Sequence, residues 1–176
     1  MIKKIVSCLH SKHKHWVGNG FHVHGLLRPN EELNSIISPF IMMDYASPKV
    51  FKKTNVPRGI GEHPHRGFET VTFSYQGEIQ HRDSSGGGGI IKEGDVQWMT
   101  AGRGIIHEEF HSDRFSRTGG TFEMVQIWIN LPKKNKMTAP KYQGIEKENI
   151  PMINLTNEIK MRLIAGEYRK QKGPAK

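Results

Sequence analysis

From Val17 onward the chain alternates short apolar runs with turn signals, and the runs have the period of strands rather than helices. Phe21–Leu27 alternates loosely and predicts a strand; residues 40–44, entered through Ser38-Pro39, predict another. Residues 46–57 are polar, carry Pro48 and Pro57, and read as a loop. Residues 70–75 (TVTFSY) are rich in β-branched and aromatic side chains, which fit a pleated surface, and predict a strand. Gln76-Gly77 turns the chain and residues 79–82 return it. Residues 84–89 (SSGGGG) read as a loop, because successive glycines bring no side chains to pack and lose the most freedom on ordering. Ile90-Ile91 and Val96–Thr100 predict strands on either side of a turn at residues 92–95. A tight turn at 101–104 leads to a strand over 105–110, and the apolar run 122–131 (FEMVQIWINL) predicts a buried strand. Helical periodicity is weak everywhere and ambiguous only over 149–157. Short strands about ten residues apart predict an antiparallel sandwich or barrel.

Length and composition sharpen this picture. A chain of 176 residues suffices for one domain with a real core, and 19 glycines favour turns and strands over long helices. No apolar run approaches the ~18 residues of a membrane span, and the stretch 5–9 is too short for a signal-peptide core. The single cysteine, Cys8, cannot build a disulfide framework, which fits a reducing, cytoplasmic setting. The net charge of +9 is unevenly spread: +4 over residues 1–15, −2 over 16–131 and +7 over 132–176. The basic character thus belongs to the ends, as solvated segments or a contact for an acidic partner, and nucleic acid is not expected as a direct partner. SSGGGG lacks the GK[ST] ending of a phosphate loop, so nucleotide binding is not expected either.

The chemistry concentrates in His63-Pro64-His65 and His107-Glu108-Glu109. Residues i and i+2 of a strand point to one face, so His63 with His65, and His107 with Glu109, can each point inward. Two such pairs on neighbouring strands would bring four ligand heads around one point. Imidazole suits iron, nickel, copper and zinc, and one carboxylate adds a hard oxygen. Four protein ligands would leave one or two exchangeable positions on an octahedral metal. The alternative is a solvated rim or a polar core, since His13/His15 and His22/His24 repeat the HxH spacing. What distinguishes His63 and His65 is their place before a strong strand, among Gly59, Gly61 and Gly67.

The stretches GEHPHRGFE (61–69) and GDVQWMTAGRGIIHEE (94–109) resemble the pirin family of the cupin superfamily, as do SPFIMMDYASP and GGTFEMVQIWINLP; the likeness runs from about Gly20 to Tyr142. The resemblance implies an all-β cupin barrel of jelly-roll type, antiparallel with few short helices. It also implies one divalent transition metal, Fe(II) first, with Ni, Mn, Co, Cu and Zn as alternatives. The family's ligands fall on His63, His65, His107 and Glu109. General cupin patterns add a glutamate ligand near Glu69, but pirins take theirs from the second motif, so Glu69 reads as structural; they also expect a proline where Ala101-Gly102 stands.

The implied activity is that of a metal-dependent oxygenase of quercetin 2,3-dioxygenase type, taking a small aromatic substrate and O2, with Glu109 also accepting the substrate's hydroxyl proton. The other reading is a non-enzymatic, redox-sensitive metal protein that regulates a partner protein. Pirins usually carry two cupin domains. The expected organisation is therefore a basic segment or edge strand at 1–15, a cupin domain at 16–142, and an extension or linker at 143–176, the second cupin domain being absent. A homodimer or protein partner would cover the surface so left. Further expectations are Gln97 and Gln126 as donors to the ligand imidazoles, Trp98 as core rather than substrate platform, Arg66 as an orienting group or surface ion pair, and Arg103 as an exposed turn residue. His111 is expected beyond the ligand set, and Phe40, Met42, Phe73 and Phe122 as pocket wall or core.

Overall fold

Strand alternation builds two antiparallel sheets in the computed structural model of the chain, which describes Ile5 and residues 8–11, 13–29 and 35–176. The larger sheet joins β1 (Lys14–Val17), β2 (Phe21–Leu27), β3 (Phe40–Phe51), β10 (Gly120–Asn130), β5 (Phe68–Gln76), β8 (Val96–Thr100) and β11 (Lys141–Ile145), in that spatial order. The smaller joins β4 (Gly59–His65), β9 (Ile105–His111), β6 (Ile79–Asp83) and β7 (Gly88–Ile91). A short helix, α1 (Asp113–Thr118), links β9 to β10, with the Ser112 hydroxyl accepting from the Phe115 N–H as its N-cap. This is the all-β cupin-type architecture expected from the sequence. No described helix is long and apolar enough to cross a membrane.

The strands follow the predicted runs, with two corrections. The loop expected over 46–57 starts only after Phe51, because β3 continues through Pro48. Its register with β10 passes from Lys49↔Phe122 to Ala46↔Met124, so β3 carries one extra residue there. Pro48 falls in that bulge, where the ladder is interrupted and its missing N–H matters least. The glycine loop likewise ends early: Gly88 and Gly89 already pair with Arg82 and His81 as part of β7.

Two apolar clusters set the positions of the inner-facing polar side chains. One cluster, including Phe21, Phe51, Ile79, Phe115, Phe122 and Met124, fills the space between the sheets at one end. The other forms on the outer face of the large sheet, where Val71, Val96 and the partly buried Phe73 and Trp98 pack with Ile145, Ile150, Ile164 and Ala175. Buried from both sides, β5 and β8 direct Thr70, Thr72 and Gln97 inward. Residues 143–176, expected as an extension or linker, thus contribute packing, and β11 crosses the expected boundary at 142/143. They also form the short hairpins β12 (Met152–Asn154) with β13 (Lys160–Arg162), and β14 (Glu167–Tyr168) with β15 (Gln171–Lys172). Of residues 1–15, seven lie outside the described residues; Lys14 and His15 open the edge strand β1.

Candidate metal centre

The small sheet carries the histidines. In the β4–β9 ladder His63 stands opposite His107, and His65 opposite Ile105. The rings of His63, His65 and His107 meet with centroids 4.3–4.8 Å apart. One nitrogen from each lies within 4.8 Å of the others, a spacing that suits a shared metal ion. Glu109 lies two residues beyond His107 on the same inner face and lines the same cavity, but its carboxylate does not join that trio within the same limit. It groups instead with His107 and His81, a residue of β6 that the sequence reading did not single out.

The hydrogen bonds leave ligand atoms free. His63 Nδ1 is 2.8 Å from the Gly61 carbonyl, which can only accept, so Nδ1 carries the proton and Nε2 keeps its lone pair. His107 Nδ1 lies 3.1 Å from His81 Nδ1, while His107 Nε2 is buried with no partner at all. A buried, unpaired nitrogen on an imidazole packed against two others fits a metal site, with His63 and His107 each anchored through Nδ1. Glu109 is held by Gln97 Nε2 at 3.1 Å and Gln126 Nε2 at 3.2 Å. Trp128 Nε1 donates to Gln126 Oε1 at 3.2 Å and fixes which end of that amide faces the carboxylate. The two glutamines therefore support the site chiefly through Glu109, with Gln97 also 3.4 Å from His81 Nδ1.

Burial keeps His65, His107 and His111 neutral. Desolvation, joined by the neighbouring rings, lowers His65 and His107 to about 3. Burial also takes His111 to about 4, against the opposing effect of its hydrogen bond to the Gly20 carbonyl. Neutral imidazole is the ligating form, so no proton need leave His65 or His107 before a metal binds. These histidines resist protonation when folded but accept it near pH 6.5 when unfolded. Their contribution to stability is therefore full above pH 6.5 and is lost as pH falls toward 4 and 3. Each should cost about 1.4 kcal/mol per pH unit below 6.5. Urea unfolding of the metal-free chain should accordingly show a loss of about 3–4 kcal/mol between pH 7 and 5.5 from the three together. A flat profile over that interval would contradict buried neutral histidines.

With His107 buried beside them, His63, His65 and Glu109 line a cavity of about 610 Å³. Its walls include Val17, Met42, Ile60, Phe68 and Trp128, with Arg28, Asp44 and Arg66 among its polar lining. Phe68 and Trp128 stack at 4.5 Å, and His65 stands edge-on to both at 5.1 Å. Trp128 was legible only as part of an apolar strand; its role as a wall follows from the pairing of β10 with β5, which sets it opposite Thr70.

The remaining expectations resolve as follows. Glu69 accepts a hydrogen bond from Thr100 at 2.6 Å, and Trp98 packs in the outer cluster. Arg66 is exposed with its guanidinium 3.5 Å from Met137 Sδ, and Arg103 is exposed. Met42 lines the cavity, Phe73 and Phe122 belong to the two clusters, and Phe40 is exposed. His111 is buried among Phe21, Phe51, Phe115 and Phe122, away from the trio.

Residues 20–129 match the family model described as Pirin. The chain belongs to the pirin family. This pirin is 51% identical over 175 residues to a protein of Pseudomonas aeruginosa provisionally named a quercetin 2,3-dioxygenase, a match covering 99% of this chain and 61% of that relative. It superposes on a crystal structure of a quercetin 2,3-dioxygenase from Acinetobacter baumannii with a TM-score of 0.94 at 54% identity, covering 100% of this chain and 61% of that one. A bacterial pirin from Escherichia coli in complex with nickel(II) matches with a TM-score of 0.56 at 25% identity, over 75% of this chain and 53% of that one. This pirin therefore spans about three fifths of the length of the first two.

Proposed function

We propose that the chain forms a mononuclear metal centre on His63, His65, His107 and Glu109 and acts as an oxygenase of quercetin 2,3-dioxygenase type. The observation that carries this reading is the convergence of three imidazoles, with the buried, unpaired Nε2 of His107, beside a cavity walled by aromatic rings. A resident divalent transition metal, with Fe(II) as the first choice, would supply Lewis acidity toward a phenolic oxygen and one-electron chemistry with O2. The nickel(II) complex of the Escherichia coli pirin supports a divalent metal in this family.

The chain's own residues would do the rest. Phe68 and Trp128 offer a stacked apolar wall for a planar aromatic substrate. Met42 and Ile60 would help exclude water from the reacting face. The Glu109 carboxylate, positioned by Gln97 and Gln126, would take the proton of the enolic hydroxyl, leaving an electron-rich ring for O2. Ring cleavage would follow, with carbon monoxide released.

Aerobic incubation of metal-loaded protein with quercetin tests this. The expected result is loss of the flavonol absorbance, dependent on metal and O2 and strongly reduced in Glu109→Gln. If iron-, nickel- and manganese-loaded protein all bind metal yet leave the absorbance unchanged, the oxygenase reading falls.

A further inference from the structure

Behind His107, on the side away from the cavity, lies a line of hydrogen bonds that neither the ligand set nor the substrate wall accounts for. Asp83 Oδ2 is 3.0 Å from His81 Nε2, and His81 Nδ1 is 3.1 Å from His107 Nδ1. The side chains of Asp83 and His81 are fully buried, and His81 stacks on Tyr142 at 4.8 Å with 17° between the planes. This arrangement fixes one rotamer and one order of atoms.

The direction of each bond can be worked out from its ends. The Oδ1 atom of Asp83 accepts from the Ser85 N–H, the Ser85 hydroxyl and the Gly87 N–H, at 2.8, 2.6 and 3.1 Å. Its Oδ2 atom also can only accept, so His81 donates through Nε2–H. His81 Nδ1 also faces the Gln97 amide nitrogen, 3.4 Å away, which can only donate, so Nδ1 accepts through its lone pair. His107 must therefore place its proton on Nδ1, which leaves Nε2 as the bare nitrogen, and Nε2 is the buried atom found without a partner.

We infer that Asp83 and His81 are positioning residues that lock His107 in the Nδ1–H tautomer and aim its Nε2 lone pair at the metal. The inference rests on the metal-centre reading above. It makes His81 a support for His107 rather than a ligand in its own right, although its ring nitrogen also lies within ligand-sharing distance of His107 and Glu109. Outer partners of this kind are worth about 10–100-fold in metal affinity.

Asp83→Asn tests the direction of the line with little change in shape. Its oxygen must stay with Ser85 and Gly87, so its NH2 group turns toward His81 Nε2. His81 would then carry its proton on Nδ1, and His107 would have to move its own to Nε2, where the metal should bind.

Long-range 1H–15N spectra of the metal-free wild-type chain should show Nδ1–H at His107 and Nε2–H at His81. Zinc should shift His107 Nε2 and leave His81 Nδ1 as it was. Asp83→Asn should reverse both tautomers and lower zinc affinity by about 10–100-fold, with an unchanged circular dichroism spectrum. The proposal is overturned if wild-type His107 carries its proton on Nε2, if zinc shifts His81 Nδ1, or if Asp83→Asn binds zinc as tightly as wild type. If wild type shows the expected tautomers but takes up no zinc, nickel or iron, the metal-centre reading fails, and the positioning role falls with it.

Discussion

Replacing His107 with alanine is expected to abolish stoichiometric binding of a divalent transition metal while the chain still folds. Among the described residues His107 belongs to both groups of side chains that could share an ion, and its buried Nε2 has no hydrogen-bond partner. Changing an outer partner of a ligand costs about 10–100-fold in affinity, so removing the ligand itself should cost more than about 100-fold. Thermal unfolding gives a direct comparison. A metal present at 100 times its Kd should stabilise the wild type by about 2.7 kcal/mol, and His107→Ala should show no such gain. His111→Ala is the informative control, because it lies on the same strand and is as buried, yet faces phenylalanine rings. It should lose about 1–3 kcal/mol through the orphaned Gly20 carbonyl, more with the void, and keep its metal. Equal metal loss in both variants would mean that general destabilisation, not ligation, was being read.

Gly59→Ala should weaken both the fold and the metal centre, whereas Gly61→Ala should do neither. A Cβ on Gly59 would lie 2.1 Å from the Glu109 carbonyl oxygen and 2.5 Å from Phe110 Cα. These are backbone atoms and cannot swing aside, so β4 must move away from β9. Those two strands hold all four proposed ligands. Overpacking of this kind costs about 3 kcal/mol, or roughly 6–12 °C in Tm for a chain of this size. At Gly61 a Cβ meets nothing within 4 Å, and its carbonyl remains available to His63. That substitution should be neutral or slightly stabilising, by up to about 1 kcal/mol. Melting curves with and without metal for the two variants check both halves.

The sequence made the proposed ligands legible because strand periodicity is a local property. His63/His65 and His107/Glu109 each declare their common face by spacing alone, and the glycines around them announce turns. His81 and Asp83 have the same i, i+2 spacing, with His81 inside the predicted run 79–82 and Asp83 one residue beyond it, which was a usable signal. The importance of that pair depends, however, on β6 pairing with β9 in the register His81↔Glu109, and register is not written in either segment. The same limit hid Trp128 and Phe68 as a cavity wall, since their stacking needs β10 beside β5. Pro48 and the glycines at 88–89 misled for a different reason. Local propensity argues against strand at each, but a bulge absorbs the proline and backbone pairing alone holds the glycines. The packing of Ile150, Ile164 and Ala175 on the large sheet was invisible because a short apolar residue in a polar segment does not say which surface it covers.

The most direct test of the metal centre is anomalous diffraction from crystals of the chain loaded with one equivalent of nickel or iron, recorded at that metal's absorption edge. One strong peak is predicted, within ligand distance of Nε2 of His63 and Nε2 of His107, with the His65 ring and the Glu109 carboxylate completing the protein's share. A peak at His15, His22 or His24 of β1 and β2 instead, with none at this trio, would contradict the account.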